Sequence, residues 1–193
     1  MINIILFGPP GAGKGTQSAK IIEKYSLTHI STGDLFRKHL KEGTPLGKLA
    51  QEYMNRGDLV PDKVVIDMVD DKIKNSGNIN GIIFDGFPRT IPQAEALDAL
   101  LASKDAPIKA LIELVVPEDE LKKRLAERAL KENRPDDAKP EVINNRIAVY
   151  KAETAAVGDH YKKRNKYSSV IGVGGVDDIF QNIVREIDKS LLV

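Results

Sequence analysis

Short apolar runs alternate with longer amphipathic stretches along this chain of 193 residues, which predicts strands separated by helices, the α/β pattern. Ile4, Ile5, Leu6 and Phe7 are apolar without a break, as expected of a central parallel strand buried on both faces. A helix is expected over 16–25, with Ala19, Ile22 and Tyr25 on its apolar face and Lys20, Glu23 and Lys24 off it. A second strand follows at 27–31. Helical patterning then runs to Lys41, breaks at Glu42-Gly43, restarts with Thr44 as N-cap and Pro45 in the first turn, and breaks again at 56–58. A further helix is read over 61–74, with Val64, Val65, Met68 and Val69 apolar. Beyond it the pattern predicts strands at 81–85, 110–116 and 169–171, and helices at 91–103, 118–131, 140–164 and 176–191. The region 32–60 holds helical patterns and no good strand, so it reads as a helical insertion.

The first strand breaks into Gly8-Pro9-Pro10-Gly11-Ala12-Gly13-Lys14-Gly15-Thr16. Four glycines within eight residues let the backbone take positive φ and approach a ligand closely, so that successive N–H groups face phosphate oxygens. Lys14 then reaches the β and γ phosphates, and the helix opening beside it adds its positive dipole end. A glycine-rich surface turn is the plain alternative, but it would not require the buried strand that precedes it. The general motif has a hydroxyl directly after the lysine; here Gly15 stands there and the hydroxyl comes at Thr16.

Composition narrows the setting. Lys plus Arg number 29 against 28 Asp plus Glu, a net charge of +1, so no global basic field draws nucleic acid or an anionic membrane. A phosphate site must therefore gather its cations locally. Without cysteine there are no disulfides or thiolate metal sites, which is compatible with a reducing compartment. No apolar run reaches transmembrane length, so the expectation is a cytoplasmic protein.

Asp85 ends an apolar strand where open α/β sheets carry their sites, and suits magnesium or its waters beside a phosphate loop. Arg37, Arg89, Arg124, Arg128, Arg134 and Arg146 form the second constellation. Any one of them reads equally as part of a solvated face, and Glu120 has the spacing for a surface pair with Arg124. Together they suit phosphoryl transfer between nucleotides, which gathers many negative charges that guanidinium groups bind bidentately. His29, His39 and His160 show no partner spacing and read as structural. No general base stands out, which fits a phosphate acceptor, since that acceptor is already an anion.

The motifs jointly resemble the adenylate kinases over nearly the whole chain: Gly8 to Thr16, Ser31-Thr32-Gly33-Asp34-Leu35-Phe36-Arg37, Asp85-Gly86-Phe87-Pro88-Arg89-Thr90 with Gln93, Arg124 with Arg128, Arg134-Pro135-Asp136-Asp137, and Arg146. The resemblance implies a three-layer P-loop fold with a parallel sheet of about five strands. It implies one kinase domain over 1–193, an acceptor-binding insertion at about 31–60 and a short lid at about 128–138. The activity implied is reversible transfer of the γ phosphate of MgATP to AMP, giving two ADP, by a monomer that handles nucleotides alone. By the same resemblance Gly11, Ala12, Gly13, Lys14, Gly15, Thr16, Arg124, Arg134 and Gly174 bind ATP. Thr32, Gly33, Arg37, Leu59, Val60, Gly86, Arg89, Gln93 and Arg146 bind AMP. Lys14, Arg89, Arg128, Arg134 and Arg146 act on the transferring group, and Thr16 and Asp85 place magnesium through waters; no zinc is expected.

Gln93, one turn past Arg89, can offer an amide donor and acceptor to adenine. Relatives that prefer UMP or CMP carry alanine at the position of Thr32 and asparagine near that of Thr90, unlike this chain. Two departures from the family pattern stand out. Ala129-Leu130-Lys131-Glu132-Asn133 has none of the glycines usual in a short lid and reads as continued helix before a tight turn at Asn133-Arg134. Ala156 stands where similar chains often have proline. A phosphate-loop switch protein would need Asn-Lys-x-Asp, and the nearest string, Asn165-Lys166-Tyr167-Ser168, lacks the aspartate. A kinase for a small alcohol would leave Thr32, Arg37, Arg89 and Gln93 unexplained as a set.

Overall fold

The computed structural model describes residues 1–77, 79–132, 134 and 137–192. The expected turn at Asn133-Arg134 and the Pro135-Asp136 pair therefore fall, but for Arg134, outside the described residues. Five parallel strands form one sheet in the order β2-β3-β1-β4-β5: β1 (Ile2–Phe7), β2 (Thr28–Ser31), β3 (Gly81–Asp85), β4 (Ile108–Val115) and β5 (Tyr167–Ile171). The helices are α1 (Lys14–Tyr25), α2 (Thr32–Lys41), α3 (Pro45–Arg56), α4 (Asp62–Lys74), α5 (Ile91–Ala102), α6 (Glu118–Lys131), α7 (Pro140–Val149), α8 (Ala155–Lys162) and α9 (Val176–Leu191).

The uninterrupted apolar runs are explained by burial on both sheet faces. Ile5 and Phe7 of β1, with Ile82 and Phe84 of β3, enter a core shared with α4, α5 and α8 through Val65, Val69, Leu97, Leu101 and Val157. Ile4 and Leu6, with Ile83, enter the opposite core, filled by Ile21 of α1, Leu121 and Leu125 of α6 and Ile179, Ile183 and Ile187 of α9. Successive strand residues thus serve opposite cores, the period of two that a pleated strand imposes.

Local rules account for most helix ends. Thr44 caps α3 by accepting from the Gly47 N–H at 3.1 Å, and Gly57 ends the helix in the left-handed conformation at φ 78°. Two expectations need correction. The buried side of α1 is Gln17, Ser18 and Ile21, whereas Ala19 is exposed and Ile22 and Tyr25 are half-buried. Polar Gln17 and Ser18 are inside because this face meets the sheet and the start of α9, where the Gln17 amide donates to the Val176 carbonyl at 3.0 Å. The expected helix over 140–164 is divided by a π-helical turn at Tyr150–Thr154, between α7 and α8. There the Tyr150 hydroxyl donates to Glu113 of β4 at 2.8 Å, a tertiary contact invisible to helical periodicity.

Candidate active site

β1 delivers the glycine-rich loop to the C-terminal edge of the sheet. Gly8, Gly11 and Gly13 have φ of 140°, 85° and 93°, and a Cβ on Gly8 would lie 2.8 Å from the Leu114 carbonyl, so the turn requires glycine there. Gly15 differs: it is already helical in α1. Gly13 is the left-handed N-cap of α1, whose first turn contains no acidic residue to offset the dipole. Lys14 folds back over the loop, donating from Nζ to the carbonyls of Gly8 at 2.8 Å and Pro9 at 3.1 Å. Burial lowers its pKa to about 8; Asp85 opposes the shift, and Arg89, Arg128 and Arg146 add to it.

Strand register sets Asp85 beside Leu6 on one side and Ser31 on the other, so the ends of three neighbouring strands meet at the loop. Burial works against the charged carboxylate, yet His29, Lys14 and Arg89 hold its pKa below the ordinary value. The His29 Nε2 stands 3.8 Å from Asp85 Oδ2, an electrostatic contact longer than a hydrogen bond.

The turn after β3 builds a second cluster. Gly86, at φ 74°, offers its carbonyl to both Thr32 Oγ1 at 2.8 Å and Arg89 Nε at 2.7 Å. A Cβ on Gly86 would meet the Arg89 guanidinium at 2.9 Å, so glycine lets this arginine lie against the turn. Burial, with repulsion from Arg146 and Arg37, brings Arg89 down to about 10 despite Asp85. Arg37 pairs with Asp34 at 2.5 Å. Thr90 caps α5 by accepting from the Gln93 N–H at 3.3 Å, and Gln93 as a residue is 1 % exposed.

α6 and α7 supply the remaining cations. Arg124 pairs with Glu120 at 2.7 Å and also donates to the Gly172 carbonyl at 3.0 Å, so the surface pair and the tie to the loop after β5 coexist. Asp137, fully buried, accepts from Arg128 Nε at 2.7 Å and also pairs with Arg146. Arg134 pairs with Glu132 at 2.7 Å.

One cavity of about 680 Å³ joins these groups. It is lined by Gly11, Gly13, Lys14, Gly15 and Thr16 of the loop and α1; by Thr32, Gly33, Arg37, Leu59 and Val60; by Asp85, Gly86, Arg89 and Gln93; and by Arg124, Arg128, Arg134 and Arg146. Of the residues singled out from the sequence, Ala12 and Gly174 are not in its lining: Ala12 is 2 % exposed in the core, and Gly174 lies beyond β5 at φ 126°. Sequence reading missed Asp137 as the bridge between Arg128 and Arg146, His29 as the neighbour of Asp85, and Asp62, which holds Thr90 and Gln93. The acidic pair at 136–137 among arginines was a usable sign of the first; the others had none.

The model of the family described as adenylate kinase matches residues 6–166. Curated relatives named adenylate kinase include those of Phocaeicola vulgatus and Bacteroides thetaiotaomicron, each 46 % identical over 98 % of this chain and 100 % of their own length. The adenylate kinase of Flavobacterium psychrophilum is 47 % identical over the same shares of both chains. With a phosphate loop, an arginine cluster and a second polar cluster opening on one cavity, and with these full-length similarities, the chain belongs to the adenylate kinase family.

Proposed function

We propose that this chain transfers the terminal phosphoryl group of ATP to AMP, reversibly, giving two ADP. The observation that carries the reading is that the phosphate loop and the Thr32, Arg37, Arg89 and Gln93 cluster face one cavity, with Arg128 and Arg146 lining it as well.

In this reading the loop N–H groups, Lys14, Thr16, Arg124 and Arg134 hold the donor. Thr32, Gly33, Arg37, Leu59, Val60, Gly86, Arg89 and Gln93 hold the acceptor, and Arg128 and Arg146 brace the transferring group. Positioning and electrostatics then supply the catalysis, because the attacking AMP oxygen needs no base to remove a proton. The insertion at about 31–60 serves as the acceptor-binding unit and the segment at about 128–138 as the lid. α2 and α3 pack on each other, and α3 also meets α7, which carries Arg146.

Magnesium fits as a partner of ATP. Asp85 is an ionised, mostly buried carboxylate and Thr16 an exposed hydroxyl, and the described residues contain no group of His, Cys, Asp and Glu able to cage a metal. That donor set suits an ion that takes most of its oxygens from phosphate and water, with Asp85 and Thr16 holding those waters. Bound there, magnesium would neutralise charge on the phosphate oxygens. Zinc finds no thiolate in a chain without cysteine. Among the described residues no helix is long and apolar enough to cross a membrane. We place the enzyme in the cytoplasm, which the absence of cysteine supports, and the likeness to the adenylate kinases supports a monomer acting on ATP, AMP and ADP. Supplied with MgADP alone, it should produce ATP and AMP in equal amounts by chromatography; unchanged ADP would contradict the reaction.

A further inference from the structure

Asp62, the first residue of α4, does not line the cavity, yet it holds the side chain that does. Its Oδ1 accepts from Gln93 Nε2 at 2.8 Å and from the Thr90 hydroxyl at 2.9 Å. On the other side, Gln93 Oε1 accepts from the Arg89 N–H at 2.8 Å. A carboxylate can only accept and a main-chain N–H can only donate, so these partners admit one orientation of the Gln93 amide. Reversing it would set donor against donor at Arg89 and acceptor against acceptor at Asp62, with Gln93 itself buried.

That orientation has a consequence for the base. The Gln93 amide keeps one further N–H and one further lone pair for a ligand, in a set spatial order. A 6-aminopurine presents a donor at its exocyclic amine and an acceptor at N1, whereas a 6-oxopurine presents an acceptor at O6 and a donor at N1. A primary amide free to reverse serves both edges; an amide held in one orientation serves one. A carboxylate at a helix start is also favourable to the dipole, but that role alone would not need an oxygen shared with Thr90 and Gln93.

We propose that Asp62 is a positioning residue for nucleotide specificity: by fixing the Gln93 amide it excludes 6-oxopurine monophosphates from the acceptor site. The inference rests on the acceptor reading of Gln93 given above.

The test compares kcat/KM for AMP, IMP and GMP in wild type, Asp62→Asn and Asp62→Ser, with thermal midpoints as the folding control. Asn, by turning its amide, and Ser, by turning its hydroxyl, can donate as well as accept, so either variant releases the Asp62 side of the lock and leaves the Arg89 N–H as the remaining constraint. The AMP to IMP preference should fall about tenfold, what one hydrogen bond to the base typically contributes, and the change should appear in KM with kcat little altered. Two variants guard against one of them failing to fold. A preference within twofold of wild type in whichever variant folds overturns the proposal, as does an equal loss for all three acceptors, the mark of a merely structural role. Gln93→Ala separates the two layers: if it leaves the KM for AMP unchanged, the acceptor reading itself fails and the lock with it; if it raises that KM while Asp62→Asn keeps its selectivity, only the lock fails.

Discussion

Lys14 donates its ammonium to the Gly8 carbonyl at 2.8 Å, so the cation of the phosphate loop closes the turn that carries it. Burial and three arginines against one carboxylate bring it to about pH 8, where it is half charged. A polyphosphate arriving beside it favours the charged form, so nucleotide binding should take up protons near pH 8, and affinity should fall as pH rises above it. Titration calorimetry in two buffers of different ionisation enthalpy measures this, and Lys14→Met should abolish the uptake. Proton release in this window would contradict the assignment. For folding the sign is opposite: the unfolded chain keeps this proton up to about 10.5 and the folded chain loses it near 8, so below pH 8 the ionised lysine weighs against the fold and that cost fades as pH rises through the window.

Asp137 is fully buried between Arg128 and Arg146. Asp137→Asn keeps the shape and removes the charge, leaving two guanidinium groups facing each other. Their side chains are 26 % and 19 % exposed, so solvent softens the loss to about 1–3 kcal/mol, a fall of about 3–10 °C in thermal midpoint. Because both arginines lose their orientation, kcat should drop about tenfold or more. Unchanged kcat and midpoint together would show that the bridge does neither job.

α6 runs through Lys131, as its glycine-free sequence predicts. If lid opening limits turnover, loosening the helix end with Lys131→Gly should raise kcat at a stability cost of about 1 kcal/mol or less. Stopped-flow comparison of the burst and steady-state rates reads the effect. An unchanged kcat counts against a lid that controls release.

The strands and the phosphate loop were legible because each is local: an apolar run that dips into two cores, then glycines where φ must be positive. Thr44 and Pro45 announced α3 for the same reason. The π-helical turn at Tyr150–Thr154 was not legible, since Lys151, Ala152 and Glu153 are good helix formers and Glu113, distant in sequence, engages Tyr150. The inward side of α1 was misread because Gln17 and Ser18 are polar residues placed inside by neighbours from α9 and the sheet. Within the site the arginines declared themselves by number, but what orients them did not. Asp137 was hinted at only by its place among arginines, and Asp62 looks like an ordinary surface acid until folding sets it against Gln93.

The central claim is that the cavity joins an ATP site to an AMP site. The most direct measurement is a coupled assay of ADP formation from MgATP with AMP, GMP, CMP and UMP supplied one at a time as acceptors. The account predicts that AMP is used with the highest kcat/KM and that CMP and UMP are poor substrates. A chain that phosphorylates UMP or CMP as well as AMP, or none of the four, would contradict it.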